Sequence, residues 1–363
     1  MQTPLNQDQT VTARRTKQVI RQVLGYLIAI ACLIWVFHGI HAERLFQQVK
    51  SIRWGWIALA VFFDTFSYYA QGLRWELLIR PRGKISSLKT TQAIYVGLFT
   101  NEIVPLRAGE LVRAYLVSRW IPTGFFSIIP SMIIERLSDG IWLAIGIGIT
   151  AILVQLPGNL VKAADILGIL VLVGAGLFIY LVVREEKIIT AGHSEKHSVF
   201  APFRFLLRLI ERLAEGIKEI GVSRYLFLAF FASSLVLISQ ILSFWLVMLG
   251  YGLKVSIWIG AAVLLIEHLG TTIPNAPSNL GTYQFFTVVG LSLFGVDKTT
   301  ATGFSVVVFI VLTIPLWLIG LFAISRSGMT LKEIRAENWR GAEGGSGLCL
   351  TNWFRRAGPL TQE

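Results

Sequence analysis

The chain has 363 residues, of which 54% are hydrophobic and only 15% are charged, and its formal net charge is +12. Soluble domains average about 25% charged residues, so this composition excludes an ordinary soluble protein and predicts a chain that crosses a membrane several times. Its basic residues flank apolar runs, as in cytoplasmic loops of membrane proteins, which argues against nucleic-acid binding. With only two cysteines, Cys32 and Cys349, a disulfide framework is excluded.

A basic N-terminal arm, residues 1–21, precedes the first apolar run. Crossing a bilayer takes about 20 mostly apolar residues, and six candidate spans are centred on 24–37, 55–73, 140–154, 166–183, 225–250 and 303–322. The first is interpreted as a retained span rather than a signal peptide, because no A-x-A-like cleavage site follows it. The tail, 326–363, is polar and Gly-rich, which predicts a largely disordered segment.

Two further apolar stretches, 91–119 and 256–298, are interrupted near their middles by Pro, Gly and polar residues. Irregular backbone at membrane depth is tolerated only where protein buries it or a watery cavity adjoins it, so both stretches are predicted to be re-entrant helical hairpins. The alternative is eight ordinary spans with polar kinks. The expected fold is an all-α, polytopic membrane helix bundle whose transmembrane domain is 22–325. Its order of span, span, hairpin and span occurs twice, which suggests an inverted repeat.

The distribution of Lys and Arg predicts that both termini lie in the cytoplasm, since the N-terminal arm, the loop at 80–84 and the C-terminal tail are basic. The loop at 156–165 has few charges and is placed outside. Within the cytoplasmic segment, 202–220 alternates apolar and charged residues at helical spacing, which predicts an amphipathic helix at the membrane surface.

The stretch "NEIVPLRAGELVR", 101–113, places charged groups in an apolar context. An ionisable side chain at the centre of a spanning helix costs about 2.5 to 3.5 kcal/mol on insertion scales, so such residues are candidates for a functional site. Glu110 is predicted to neutralise Arg107 and Arg113, each three residues away, and Asn101 to satisfy freed backbone groups. Pro105 and Gly109 would break the helix. The alternative is a cytoplasmic loop whose charges are solvated.

A second group follows in "IIERLSDG", where Glu135 and Asp139 lie four residues apart on one helical face beside Arg136. Two carboxylates on one face suggest proton coupling or a partner for Arg107. The alternative is a helix N-terminus at the interface, where the helix dipole favours acids. Asp64, Arg74 and Glu76 in the second span are predicted to form a supporting pair.

The second interrupted stretch, 256–298, is unusually polar, which implies a wet cavity rather than a lipid-facing surface. Its candidate binding residues are Glu267, Asn275, Pro277, Gly281, Tyr283 and Gln284, with His268, Pro274, Ser278 and Asn279 nearby. His193 and His197 have the spacing of a helical metal pair but no evident third ligand. Neither a metal nor a cofactor is expected.

On the stretches "NEIVPLRAGELVRAYL", "IIERLSDG" and "IPNAPSNLGTYQ", the sequence resembles the lysylphosphatidylglycerol synthase transmembrane family, a flippase-like membrane domain. The resemblance covers about 20–325. Its first motif maps onto Asn101, Pro105, Arg107, Gly109, Glu110 and Arg113, and its acidic pair onto Glu135 and Asp139. Where family members often carry Glu near the second motif, this chain has Gln284, which puts in doubt any mechanism that needs an ionisable group there.

The resemblance implies a lipid transporter of the cell membrane rather than an enzyme, because the tail after Arg326 is too short for a catalytic domain. The expected partners are membrane lipids, with an envelope-lipid biosynthetic enzyme as a further partner. Arg107 and Arg113 would bind the phosphate of an amphipathic, anionic lipid. The alternatives are a membrane-embedded transferase acting on a polyprenyl-phosphate donor, with Glu135 or Asp139 as base, and a non-transporting scaffold.

Overall fold

The computed structural model describes residues 23–103, 109–154, 223–272 and 276–328, together with the single positions 169, 173 and 176. These ranges contain ten α-helices and no strand. In chain order the helices are α1 Val23–Phe37, α2 Ala42–Lys50, α3 Trp54–Ile79, α4 Ser87–Ile103, α5 Gly109–Trp120, α6 Phe125–Leu153, α7 Arg224–Tyr251, α8 Ile257–Thr271, α9 Thr282–Leu293 and α10 Lys298–Ser325.

Helices occupy the predicted spans that the structure describes, which confirms the all-α prediction for this part of the chain. By length and composition, α6, α7 and α10 can each cross a membrane, while α1 and α8 are shorter apolar helices. The helix that contains the third predicted span is longer than expected, since α6 begins at Phe125 rather than at "IIERLSDG", near residue 133. Pro130 lies inside α6 without ending it.

The first interrupted stretch forms two helices, α4 and α5, that pack against each other. They approach most closely at Gly97 and Gly109: a Cβ built on Gly109 would lie 1.8 Å from the Gly97 carbonyl oxygen. Only glycine allows two backbones to come this near. The Asn101 side chain accepts a hydrogen bond from the Gly109 amide at 2.8 Å, so it caps α5, as the sequence predicts.

The second interrupted stretch likewise forms two packed helices, α8 and α9, with a short 3₁₀ turn at Pro277–Asn279 before α9. The chain enters α9 through Gly281, whose φ of 89° lies in the left-handed region. A Cβ there would lie 2.4 Å from the carbonyl oxygen of Ala29, so glycine also permits contact with α1. Both predicted interruptions are therefore present as breaks between helices.

The longest helices organise the bundle around α3, which packs along α7 and also contacts α4, α6 and α10. One apolar core lies around Trp75, Phe99 and Leu116, where α3, α4, α5 and α10 meet. Another lies around Phe244 and Phe304, whose rings meet edge to face at 5.5 Å.

The sequence analysis missed α2, a short helix between α1 and α3. Its Gln48 donates a hydrogen bond to Thr300 at 2.8 Å and accepts one from the Tyr251 hydroxyl at 2.8 Å. Because Gln48 bonds residues of both α7 and α10, α2 fastens the ends of these helices together. Because α2 is short and polar, the sequence did not distinguish it from a loop between the first two predicted spans.

Large apolar side chains cover the outside of the helices. Ile152 is 86% exposed, Phe322 65% and Leu318 64%. Contiguous apolar surface of this kind is unusual for a protein that faces water, whereas it suits helices that face lipid tails.

Several predictions concern residues outside the described ranges. These are the basic arm 1–21, the candidate binding residues Pro105, Arg107 and Asn275, Pro274, most of the predicted span 166–183, the histidines His193 and His197, the amphipathic helix 202–220 and nearly all of the tail 326–363.

Candidate functional site

An arginine in the middle of the bundle makes the most extensive set of polar contacts described. Arg74, on α3, is 1% exposed. Its Nη2 donates to Glu135 Oε1 at 2.6 Å, and its Nη1 donates to Asp139 Oδ1 and to Ser233 Oγ at 3.1 Å. Arg74 thus joins α3 to α6 and α7. A buried guanidinium needs such partners, because an unpaired buried charge is very costly.

A second arginine reaches the same carboxylate from α5. Arg113 is 5% exposed, and its Nη1 and Nη2 lie 3.2 and 3.1 Å from Glu135 Oε1 and Oε2. Its guanidinium also lies over the Trp75 ring, 4.7 Å from the centroid, in a cation–π contact. Glu135 is therefore shared by two arginines that come from different helices.

A third arginine forms the accessible edge of this group. The side chain of Arg136 is 53% exposed, and its Nη2 donates to Glu110 Oε1 at 2.6 Å. Its Nη1 lies 3.5 Å from Asp139 Oδ2. Glu110 and Asp139 are themselves 30% and 35% exposed. We call the six residues together the ionic cluster: Arg74, Arg113, Arg136, Glu110, Glu135 and Asp139.

The observed pairing differs from the predicted one. Glu110 does not pair with Arg113 three residues along α5; it pairs with Arg136 on α6. Arg74 does not pair with Asp64 or Glu76, and Glu76 instead lies 3.8 Å from Arg80. The reason is that packing of α3 and α5 on α6 offers buried carboxylates at shorter distances than neighbours along one helix.

The position of Glu135 in α6 also decides between the two interpretations of the acidic pair. Since α6 begins at Phe125, Glu135 lies about three turns inside the helix. The influence of the helix dipole fades within the first turn, so a helix N-terminus does not account for these acids. Glu135 and Asp139 pair with Arg74, and Glu135 pairs also with Arg113. The predicted partner, Arg107, is outside the described ranges, so its pairing stays a prediction.

The candidate residues of the second helix pair do not join the ionic cluster by any described hydrogen bond or ion pair. Glu267 is 4% exposed and one of its carboxylate oxygens lies 2.9 Å from His268 Nδ1. Tyr283 is half-buried, with its ring 5.4 Å from that of Phe309. Pro277 begins the 3₁₀ turn that leads to α9.

Gln284 has a structural role that does not need an ionisable group. It is 3% exposed, and its Oε1 accepts a hydrogen bond from the Gly281 amide at 2.7 Å. The first amides of a helix lack intrahelical partners, so this bond closes the N-terminus of α9. A glutamate could accept the same bond, which explains how this position accommodates either side chain.

The sequence predicted only a supporting role for Arg74, although it lies at the centre of the ionic cluster. Its signal was present, because an arginine in an apolar span is a candidate by default. Its partners, however, lie 61 and 65 positions away, so only the packing of α3 on α6 identifies them.

The ionic cluster contains equal numbers of arginines and carboxylates, so its formal charges balance. Its inner part, around Glu135, is buried and joined by ion pairs from two arginines, which suits it to holding α3, α5 and α6 together. Its edge, around Arg136, contains ion pairs in which the arginine is half-exposed and the carboxylates are partly exposed, so these pairs are held less tightly than those of the inner part. An incoming anion could therefore replace a carboxylate on Arg136 at small cost, while the inner part keeps its geometry.

Taken together, the apolar exterior, the long helices and the internal ionic cluster define a multi-pass membrane protein of helical type. The chain belongs to the family described as "Lysylphosphatidylglycerol synthase TM region", which matches residues 22–320. A relative is the UPF0104 membrane protein MJ1595 of Methanocaldococcus jannaschii, 23% identical over 301 residues that cover 79% of this chain and 88% of that protein. No solved structure gives a significant match.

Proposed function

We propose that the protein moves an amphipathic, anionic lipid across the cell membrane, with the lipid phosphate binding at the edge of the ionic cluster. The observation that carries this proposal is the half-exposed Arg136 beside the buried ion pairs that Glu135 forms with Arg74 and Arg113. A family description that refers to a phospholipid synthase supports lipid as the class of ligand.

The roles of the arginines follow from their partners. Arg113 is held by Glu135 and stacked on Trp75, so releasing it for a ligand would leave a buried carboxylate short of a partner. Among the described residues, Arg136 pairs with two partly exposed carboxylates, so it can change partners more easily than Arg113. We therefore assign phosphate binding to Arg136 and to Arg107, which lies three positions before Glu110, and a positioning role to Arg113. Guanidinium groups suit phosphate because they offer two parallel hydrogen bonds.

The helix pairs support a route through the membrane. At 1.5 Å per residue, the 17 residues of α4 span about 25 Å and the 12 residues of α5 about 18 Å. Both are shorter than a hydrocarbon core of about 30 Å. The 15 and 12 residues of α8 and α9 are also short. Such lengths suit hairpins that enter and leave on one side, and this favours the six-crossing arrangement with both termini in the cytoplasm.

The decisive experiment is lipid movement in proteoliposomes that contain the purified protein and a fluorescently labelled anionic phospholipid. Arg136→Gln and Arg107→Ala are each expected to reduce the rate at least tenfold. Arg107→Lys should also be impaired, because lysine keeps the charge and loses the planar fork.

The matched control is Arg119→Gln, on the same helix as Arg113 but exposed and outside the ionic cluster. It should transport normally. Equal rates for Arg136→Gln, Arg107→Ala and wild type would refute phosphate binding at this edge. A chemically altered lipid would instead indicate a membrane-embedded transferase, and neither movement nor product would indicate a scaffold.

A further inference from the structure

A second polar site lies inside the bundle, away from the ionic cluster. Asp64, in the apolar stretch "ALAVFFDTFSYYA" of α3, is only 6% exposed. Its carboxylate forms no ion pair or hydrogen bond with any residue that the structure describes; only its backbone carbonyl accepts a bond, from Ser67 at 2.7 Å. The nearest arginine on the same helix, Arg74, is about 15 Å along the axis and is held by α6 carboxylates.

Two tyrosines in contact with each other lie close to this carboxylate along the chain and across the α3–α4 contact. Tyr68 follows one turn later on α3, and its ring meets that of Tyr95 on α4 at 5.3 Å. The Tyr95 hydroxyl is buried and forms no hydrogen bond of good geometry within the described ranges, although Thr65 is a polar neighbour. Tyr283, on α9, lies within electrostatic reach of Asp64. We call Asp64, Tyr68, Tyr95 and Tyr283 the tyrosine-lined site.

No described cation contacts the Asp64 carboxylate; the bases on the neighbouring helices α4 and α8 are Lys89, near the start of α4, and His268 of α8, which contacts Glu267. Glu102, at the end of α4, acts on Tyr68, and Glu267 of α8 acts on Tyr283. The other long helices that pack on α3 contribute no titratable residue from their middle parts. Helix α7 has none between Tyr225 and Tyr251, and α10 has none after Lys298. On α6 the charged groups are those of the ionic cluster.

A carboxylate in these surroundings is stable in its neutral form. Placing an isolated ionised carboxylate in an apolar medium is so costly that the group neutralises instead. With no cation in contact with it among the described residues, Asp64 is expected to take up a proton when the bundle is closed. It can ionise when water enters the same space. Its protonation is thus linked to the opening and closing of the interior.

We infer that Asp64 is a proton-binding site that couples lipid movement to a proton gradient across the membrane. This inference rests on the proposed lipid transport and adds its energy source. Asp64 binds a proton from the side to which the interior is open and releases it on the other side, so one proton moves for each cycle and no other reactant is consumed.

The test measures two quantities in the same proteoliposomes: the movement of the labelled anionic phospholipid and the internal pH reported by an entrapped dye. For wild type, an imposed gradient of about two pH units should change the transport rate at least fivefold and lipid movement should be accompanied by proton movement. Asp64→Asn, which keeps the shape but cannot titrate, should lose both responses.

Two further variants control the interpretation. Asp64→Glu keeps a titratable carboxylate and should retain the gradient response even if its rate is lower. Glu76→Gln removes an acid from the same helix that pairs only with the exposed Arg80, and it should behave as wild type. If Asp64→Asn cannot be purified in folded form, the wild-type response still decides whether lipid movement is coupled to protons, and the pH dependence of transport by Asp64→Glu decides the role of Asp64: a shift from the wild-type profile is expected, and an identical profile would remove Asp64 from the mechanism.

The possible outcomes separate this inference from the proposed function. Lipid movement at equal rates with and without the pH gradient would overturn proton coupling and leave lipid transport standing. A response to a sodium gradient in place of a pH gradient would also overturn it. An unchanged gradient response in Asp64→Asn would remove Asp64 from the mechanism. No lipid movement under any condition would overturn both proposals.

Discussion

Replacing Glu135 with glutamine tests whether the ionic cluster holds the helix bundle together. Glu135→Gln keeps the size of the side chain but removes the charge shared by Arg74 and Arg113. Arg74 keeps Asp139 and Ser233 as partners, while Arg113 keeps only its contact with Trp75 among the described residues. Removing one partner of a buried ion pair typically costs about 3 to 5 kcal/mol.

That cost should be visible as a loss of thermal stability in detergent. At about 2 to 4 °C per kcal/mol, Glu135→Gln is expected to lower the apparent melting temperature by roughly 6 to 20 °C. Size-exclusion chromatography of heated samples, followed by tryptophan fluorescence, measures this directly.

The matched control is Glu110→Gln, because Glu110 is also paired with an arginine but its partner Arg136 is half-exposed. Exposed pairs contribute at most about 1 kcal/mol, so the shift should stay below about 4 °C. A double variant, Glu135→Gln with Arg113→Leu, should cost less than the sum of the single changes, since neither charge is then left without its partner. If Glu135→Gln and Glu110→Gln had equal effects, the distinction between an inner, structural part and an exchangeable edge would be refuted.

Three other predictions follow from the helix pairs and the topology. Gly109→Ala should destabilise the protein by about 1 to 3 kcal/mol, since its Cβ would lie 1.8 Å from a backbone oxygen of α4, whereas Gly148→Ala, with nothing within 4 Å, should be silent in the same melting assay. Gln284→Leu should lower the melting temperature by leaving a buried amide unpaired, while Gln284→Glu should not. Reporter fusions after Glu363 and within 156–164 should report opposite sides of the membrane; the same side would contradict six crossings.

The sequence alone determined the class of protein and most of its helices. Apolar runs of membrane length have few alternatives to helix, because a bilayer offers no water to satisfy the backbone. The breaks in the two interrupted stretches were also readable, since Pro, Gly and Asn limit backbone conformation locally. The same local logic predicted the contact of Asn101 with a freed amide at the start of α5.

The partners of the buried charges were decided by tertiary structure. Spacing along one helix suggested that Glu110 would neutralise Arg113 and that Arg74 would pair on its own span; each instead pairs with α6. A helix surface shows which residues share a face, but it does not show which other helix covers that face. Buried charges bind the nearest opposite charge across a helix contact, and that contact exists only once α3, α5 and α6 have packed. For the same reason, the isolation of Asp64 became visible only when Arg74 was seen to be held elsewhere.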